Sequence, residues 1–224
     1  MKIAVRGGHC PRVPGASKFL DELTEDRKVK ESVIKYLKQL DHEVLDVTPP
    51  DNTNSSSGDL SNGVNRANLF GADLFVSIHF NNAYSSYNGA LGSEVCVYSN
   101  FDIAQRVVDG LGSLGFKNRG QKARTGLYEL KNTKMKSMII EVCFVEATED
   151  VSLYKRLGHD TIGKTIAESI ANKKVTVNTS STSTGETYYR CIAGSFKDKT
   201  NAEKRKSELE AKGFTGVFLE AFKK

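Results

Sequence analysis

Residues Leu74–Phe80 read LFVSIHF, an apolar run broken only by one serine and one histidine. Its length and β-branched content predict a buried strand, and a helix over about 61–70 is expected just before it. Met138–Val145, MIIEVCFV, and Ser93–Ser99, SEVCVYS, read the same way, while Lys2–Arg6 and Glu43–Val47 predict shorter strands. Between the first and second of these in chain order, Val29, Val33, Leu37 and Leu40 fall at helical spacing. A helix from Glu25 to about Leu40 follows, with Thr24 as its N-cap and acidic residues in its first turn. Helices are also expected over 101–114 and 149–172, the latter carrying the stripe Ile162, Ile166, Ile170. Strands alternating with helices predict a three-layer α/β domain with a mostly parallel twisted sheet flanked by helices.

The 224 residues carry 32 Lys and Arg against 27 Asp and Glu, a net charge of +5. That mild basicity favours polyanions in general, but basic and acidic residues are intermixed and no aromatic-plus-basic stripe recurs, so nucleic acid is a poor partner. No run approaches the roughly 18 apolar residues of a membrane helix, so no integral membrane segment is expected. The N-terminus offers only Ile3 to Val5 before Arg6, short of the roughly 7–15 apolar residues at the core of a secretory signal. Synthesis in the cytoplasm without a signal peptide is therefore expected. Cys10, Cys96, Cys143 and Cys191 form no CxxC pair, and reduced thiols are expected.

Residues 176–185, TVNTSSTSTG, contain no charge and predict a flexible linker between a body of residues 1–175 and a tail of 186–224. The tail has 9 basic and 6 acidic residues, hence +3, which leaves +2 for the body. It reads as a small β-α-β module. Tyr188–Ala193 is its first strand, a T-x-x-E capping box from Thr200 to Glu203 opens a helix stopping at Gly213, and Thr215–Phe222 is its second strand.

Of the four histidines, His9 follows the first strand in a Gly-Gly-His turn and His79 lies near the end of the 74–80 strand. Ligands of open α/β sheets bind at the carboxyl ends of strands, so both stand where a site forms. His42 and His159, in polar stretches, read as solvated surface. A catalytic zinc wants about three His or carboxylate ligands and an open position. The carboxylate could come from the acidic cluster Asp21, Glu22, Glu25 and Asp26, although such a cluster also simply suits a helix N-terminus. Glu141 interrupts an apolar strand, where an unpaired charge is costly. It is either half of a buried salt bridge or a general base beside an activated water.

Taken together, Gly8-His9, Gly15-Ala16, Thr24–Arg27, Asn65–Asn68, Ala72–Asn81, Gly92–Glu94 and Ile140–Phe144 resemble, in order, the zinc-dependent N-acetylmuramoyl-L-alanine amidases often called amidase 3, of phage endolysin and autolysin type. The resemblance implies Zn²⁺ held by His9, Glu25 and His79, with Glu141 as the catalytic carboxylate. It implies cleavage of the peptidoglycan amide between N-acetylmuramic acid and L-alanine of the stem peptide. Two departures stand out. Family members usually carry Asn four residues after the glutamate, where this chain has Val29 counted from Glu25. Cys10–Pro14 also replaces a glycine-rich stretch, a change expected to act on substrate fit at the rim of the site.

The tail resembles the first half of a SPOR repeat domain in Tyr189–Phe196 and the helix beginning Asn201-Ala202-Glu203. It implies a cell-wall-binding module for glycan strands, with open strand edges through which a homodimer could form. The expected route is action on the wall after release by lysis or a holin-like pore. The alternatives are a zinc peptidase acting on stem peptides and a non-enzymatic basic cell-wall-binding protein.

Overall fold

The strand and helix patterns assemble into a six-stranded sheet with helices on both faces, seen in a computed structural model that describes residues 1–175, 193–215, 217 and 219. The chain divides into two units, Met1–Val177 and Asn178–Lys224. In the first, β1 (Lys2–Gly7), α1 (Glu22–Gln39), β2 (Glu43–Asp46), α2 (Ser56–Phe70), β3 (Leu74–Asn81), β4 (Ser93–Val97), α3 (Asp102–Ser113), β5 (Asn118–Ala123), α4 (Tyr128–Asn132), β6 (Lys136–Phe144) and α5 (Thr148–Ala171) follow in order. The sheet order is β2-β1-β3-β6-β4-β5. Every neighbouring pair is parallel except β4 with β6, so β4 and β5 run opposite to the other four strands.

The two faces of the sheet have different cores. On one face Ile3, Val5, Val76, Ile78, Met138 and Ile140 pack against Val29, Val33 and Leu37 of α1, Val107 and Leu111 of α3, and the Ile162, Ile166, Ile170 stripe of α5. The opposite face is thinner. Ala4 and Phe75 meet Ala67 of α2, and Ile139 and Cys96 meet Leu130 of α4. That face becomes polar toward the carboxyl ends of β1 and β3, where Arg6, Ser77 and His79 alternate with the buried apolar residues.

Several elements differ from the sequence expectation. Helix α1 begins a turn earlier than Glu25, because Asp21 accepts the backbone N–H of Thr24 at 2.9 Å and so caps the helix in place of Thr24. Strand β5 and helix α4 were not anticipated. Asn118–Ala123, NRGQKA, lies at the sheet edge with a half-buried middle, so it lacks an apolar alternation to read. Helix α5 is interrupted at Gly158, whose φ of 76° lies outside the helical region. No helix among the described residues is long and apolar enough to cross a membrane.

In the second unit, α6 (Lys199–Ala211) is capped by Asp198, which accepts the Thr200 N–H at 2.7 Å, so the helix opens one residue before the Thr200 box. Gly213 follows its end at φ 87°. The 176–185 linker, Cys191 and most of both tail strands fall outside the described residues.

Helices α1 and α5 approach closely where Gly163 faces Ser32. A methyl group there would meet the Ser32 Cβ and lie 2.9 Å from Val33 N. Gly163→Ala is therefore expected to destabilise the first unit by about 1–3 kcal/mol through overpacking, read as a lowered Tm in thermal denaturation. An unchanged or raised Tm would mean that the helices separate freely.

Candidate metal centre

The parallel register of β1 and β3 brings the Gly7-Gly8-His9 turn beside the carboxyl end of β3, where Gly8 N–H bonds Ile78 O at 2.9 Å. A side chain at Gly8 would run into the His79 ring. The second glycine is thus what lets the two histidine rings meet edge to face, 4.8 Å apart.

Glu22, in the first turn of α1, completes the group. Its Oε1 lies 3.0 Å from His9 Nε2 and 3.1 Å from His79 Nδ1 and accepts the Phe80 N–H at 3.0 Å. Its Oε2 accepts the Ala16 N–H at 2.7 Å. Gly15, at φ 74°, makes that approach possible, since a Cβ there would stand 2.6 Å from His9 Nε2. His9, Glu22 and His79 thus present ligand atoms all within 4.8 Å of one another. Burial opposes Glu22 ionisation, but hydrogen bonds from His79 and His9 outweigh it and hold the carboxyl well below its usual range. Burial likewise disfavours the His79 cation, yet the Glu22 hydrogen bond and the Glu141 and Glu129 charges lift its pKa to about 9.

Glu25 is the one expected ligand that the structure places elsewhere. Its Oε2 accepts the Tyr154 hydroxyl at 2.6 Å, and its Oε1 pairs with Lys28 at 2.9 Å. The earlier start of α1 is the cause: Asp21 rather than Thr24 ends the approach to the helix, so Glu22 is the first helical residue. The sequence also carries a signal that favours Glu22. Counted four residues on from Glu22, the family's asparagine position holds Asp26, a side chain of nearly the same shape, instead of Val29. Cys10–Pro14 also does more than border the site, because Val13 O lies 2.9 Å from His9 Nδ1 and so sets the orientation of that ring.

Glu141 stands directly beside His79 across the β3–β6 pairing and directly opposite Glu94 across β6–β4. Glu94 is paired with Arg119 at 2.7 Å. Glu141 itself makes no salt bridge among the described residues, and its Oε2 has no hydrogen-bond partner. Burial pushes its pKa up to about 7; His79 opposes the rise, and Glu22, Glu94 and Glu129 add to it. His42 and His159 belong to other surroundings, near the N-terminal ammonium and Ser32 respectively.

Two imidazoles and a carboxylate, with further buried carboxylates beside them, form a donor set suited to a divalent cation such as zinc. The family model described as N-acetylmuramoyl-L-alanine amidase matches residues 3–172.

This chain belongs to the N-acetylmuramoyl-L-alanine amidase family.

A SPOR domain model also matches, over residues 164–220. An uncharacterized protein of Clostridium perfringens is 46% identical over 183 residues, covering 80% of this chain and 54% of its own length. The chain therefore spans about half of that relative. The N-acetylmuramoyl-L-alanine amidase CwlM of Bacillus licheniformis is 27% identical over 98% of this chain and 85% of its own. Among solved structures, the catalytic domain of the CD27L endolysin targeting Clostridia difficile superposes with a TM-score of 0.71 at 30% identity, over 79% of this chain and 99% of that one. The amidase fold thus covers the first unit, and the His-Glu-His group lies within it.

Asp26, one turn on from Glu22 in α1, adds a buried carboxyl near this group. It is fully buried and neither carboxyl oxygen has a hydrogen-bond partner among the described residues. Burial raises its pKa to about 8 from 3.8, with His79 opposing and Glu22 reinforcing the rise. The folded state therefore binds a proton that the unfolded state has lost, and stability falls as pH rises from about 4 to about 8. With chelator present, Asp26→Asn removes this dependence. Its Tm advantage over the parent is expected to grow between pH 5 and pH 8, as followed by calorimetry. An equal difference at both pH values would contradict a neutral Asp26.

Proposed function

We propose that the chain hydrolyses the amide joining N-acetylmuramic acid to L-alanine of the peptidoglycan stem peptide, using Zn²⁺ held by His9, Glu22 and His79. The observation that carries this reading is the row in which Glu141 stands next to His79, which itself faces Glu22 and His9. When bound, zinc lowers the pKa of a water molecule toward neutrality and polarises the scissile carbonyl. Glu141 Oε2, buried and unpartnered, accepts the proton that the attacking water gives up. The water oxygen bonds to the lactyl carbonyl carbon, the C–N bond breaks, and Glu141 returns the proton to the departing L-alanine nitrogen. A carboxyl whose ordinary pKa has been raised to about 7 is suited to both halves of that transfer. His9 and His79 are held by Glu22 and take no proton in this scheme.

The SPOR match supports a second role for the C-terminal unit, binding to glycan strands of the wall. Pairing between two copies through that unit is part of the same proposal. The finer division into a catalytic domain of 1–175, a linker of 176–185 and a wall-binding module of 186–224 is likewise proposed.

Digestion of purified cell wall, followed by mass spectrometry, tests the reaction. Whole stem peptides with free L-alanine amines are expected; shortened peptides would instead identify a peptidase. Glu141→Ala is expected to keep zinc and lose at least about 100-fold in rate, and retained lysis would remove Glu141 from the mechanism. Glu22→Gln is expected to lose zinc while Glu25→Gln retains both zinc and lysis. The reverse pattern, measured by metal content of the purified variants, would return the ligand role to Glu25.

A further inference from the structure

The two histidines of the metal centre are supported unequally. His9 turns Nε2 to Glu22, and its other nitrogen, Nδ1, meets the Val13 carbonyl at 2.9 Å. His79 turns Nδ1 to Glu22, which leaves Nε2 buried and without a hydrogen-bond partner. The carboxylate that faces that nitrogen is Glu129, in the first turn of α4, with Oε2 3.9 Å from His79 Nε2. Glu129 is itself 2% exposed and firmly held: Arg6 Nη1 pairs with its Oε1 at 2.9 Å, and the Ser77 hydroxyl donates to the same oxygen at 3.4 Å. Its Oε2 is the oxygen that these partners leave to His79.

Resting on the zinc reading above, we propose that Glu129 is a positioning residue, whose carboxylate facing Nε2 favours the Nε2–H tautomer of His79 and so keeps Nδ1 unprotonated for the cation. The arrangement is a carboxylate–histidine–metal relay in which the carboxylate fixes the tautomer and the ring plane. Arg6 anchors the relay. Its guanidinium is shared between Glu129 and Asp59, and it also donates to the Gly7 and Gly8 carbonyls, so one buried cation aligns the supports of both histidines. Asp59 completes the charge balance on the α2 side without approaching His79, which makes it the natural control.

Two measurements on the full-length chain test this. In the zinc-loaded parent with ¹⁵N-labelled histidine, the long-range ¹H–¹⁵N spectrum is expected to show His79 protonated at Nε2. Competition with a chromogenic chelator is expected to show zinc bound about 10- to 100-fold more weakly by Glu129→Gln, with Asp59→Asn close to the parent. Protonation at Nδ1 in a parent that binds zinc overturns this inference alone, whether or not the variant folds. Equal weakening by Glu129→Gln and Asp59→Asn also overturns it, since that would reflect loss of the Arg6 network in general. A parent that binds no zinc overturns the proposed function together with it.

Discussion

A single guanidinium ties together the end of the sheet that bears the His-Glu-His group. Arg6 has no solvent exposure, yet it lies inside the thinner face of the domain and makes ion pairs at 2.7 and 2.9 Å with Asp59 and Glu129. Its remaining donors go to the carbonyls of Gly7, Gly8 and Asp59, so its hydrogen-bonding capacity is well used. A charge so placed is tolerated only because it is paired and bonded; removing one partner of a buried pair costs about 3–5 kcal/mol. Through this contact β1, α2 and α4 are locked to one another at the point where the chain leaves the sheet toward His9. The apolar clusters build the sheet, and Arg6 sets the position of its working edge.

Close approach is the second constraint. Gly8 makes room for the His79 ring, Gly15 for Glu22 and His9, and Gly7 for Asp26, whose Oδ1 would lie 2.6 Å from any Cβ placed there. These three glycines do for the His-Glu-His group and Asp26 what Gly163 does for the helices behind the sheet. They let polar groups from separate segments crowd into a space that side chains would otherwise fill. The crowding also accounts for the electrostatics, because Glu22 sits near enough to add to the raised pKa of both Asp26 and Glu141. Only Glu22, with two imidazoles and two backbone amides around it, is held firmly ionised.

Much of this was legible in the sequence, for physical reasons that differ by residue. LFVSIHF and MIIEVCFV are buried on both faces, and such strands announce themselves as apolar runs, so His79 and Glu141 stood out as interruptions. The isoleucine stripe of α5 was visible because Ile162, Ile166 and Ile170 all lie in the unbroken stretch of helix beyond Gly158. Strand β5 was not visible, since an edge strand of Asn, Arg, Gln and Lys can form a ladder through its backbone without an apolar side chain to mark it. The choice between Glu22 and Glu25 depended on where a helix starts, and helix ends are set by capping geometry, which neighbouring Asp and Thr residues offer equally well on paper. Arg6 and Glu129 were passed over because each looks like an ordinary surface charge until its partners from distant segments are known.

His9 directly after β1 and His79 near the end of β3 belong to strands that are separated in the chain by α1, β2 and α2 yet lie side by side in the sheet. Side chains on a strand alternate between faces, so a slip of β3 by one residue against β1 would send His79 through to the hydrophobic side. The chelating group therefore does not exist in a chain whose sheet is out of register, however compact that chain is. Under the proposed function, uptake of the cation would act as a proofreading step, rewarding one alignment of β1 and β3 with extra stability by mass action and giving nothing to its near neighbours. The proposed hydrolysis therefore waits on correct pairing of the central strands.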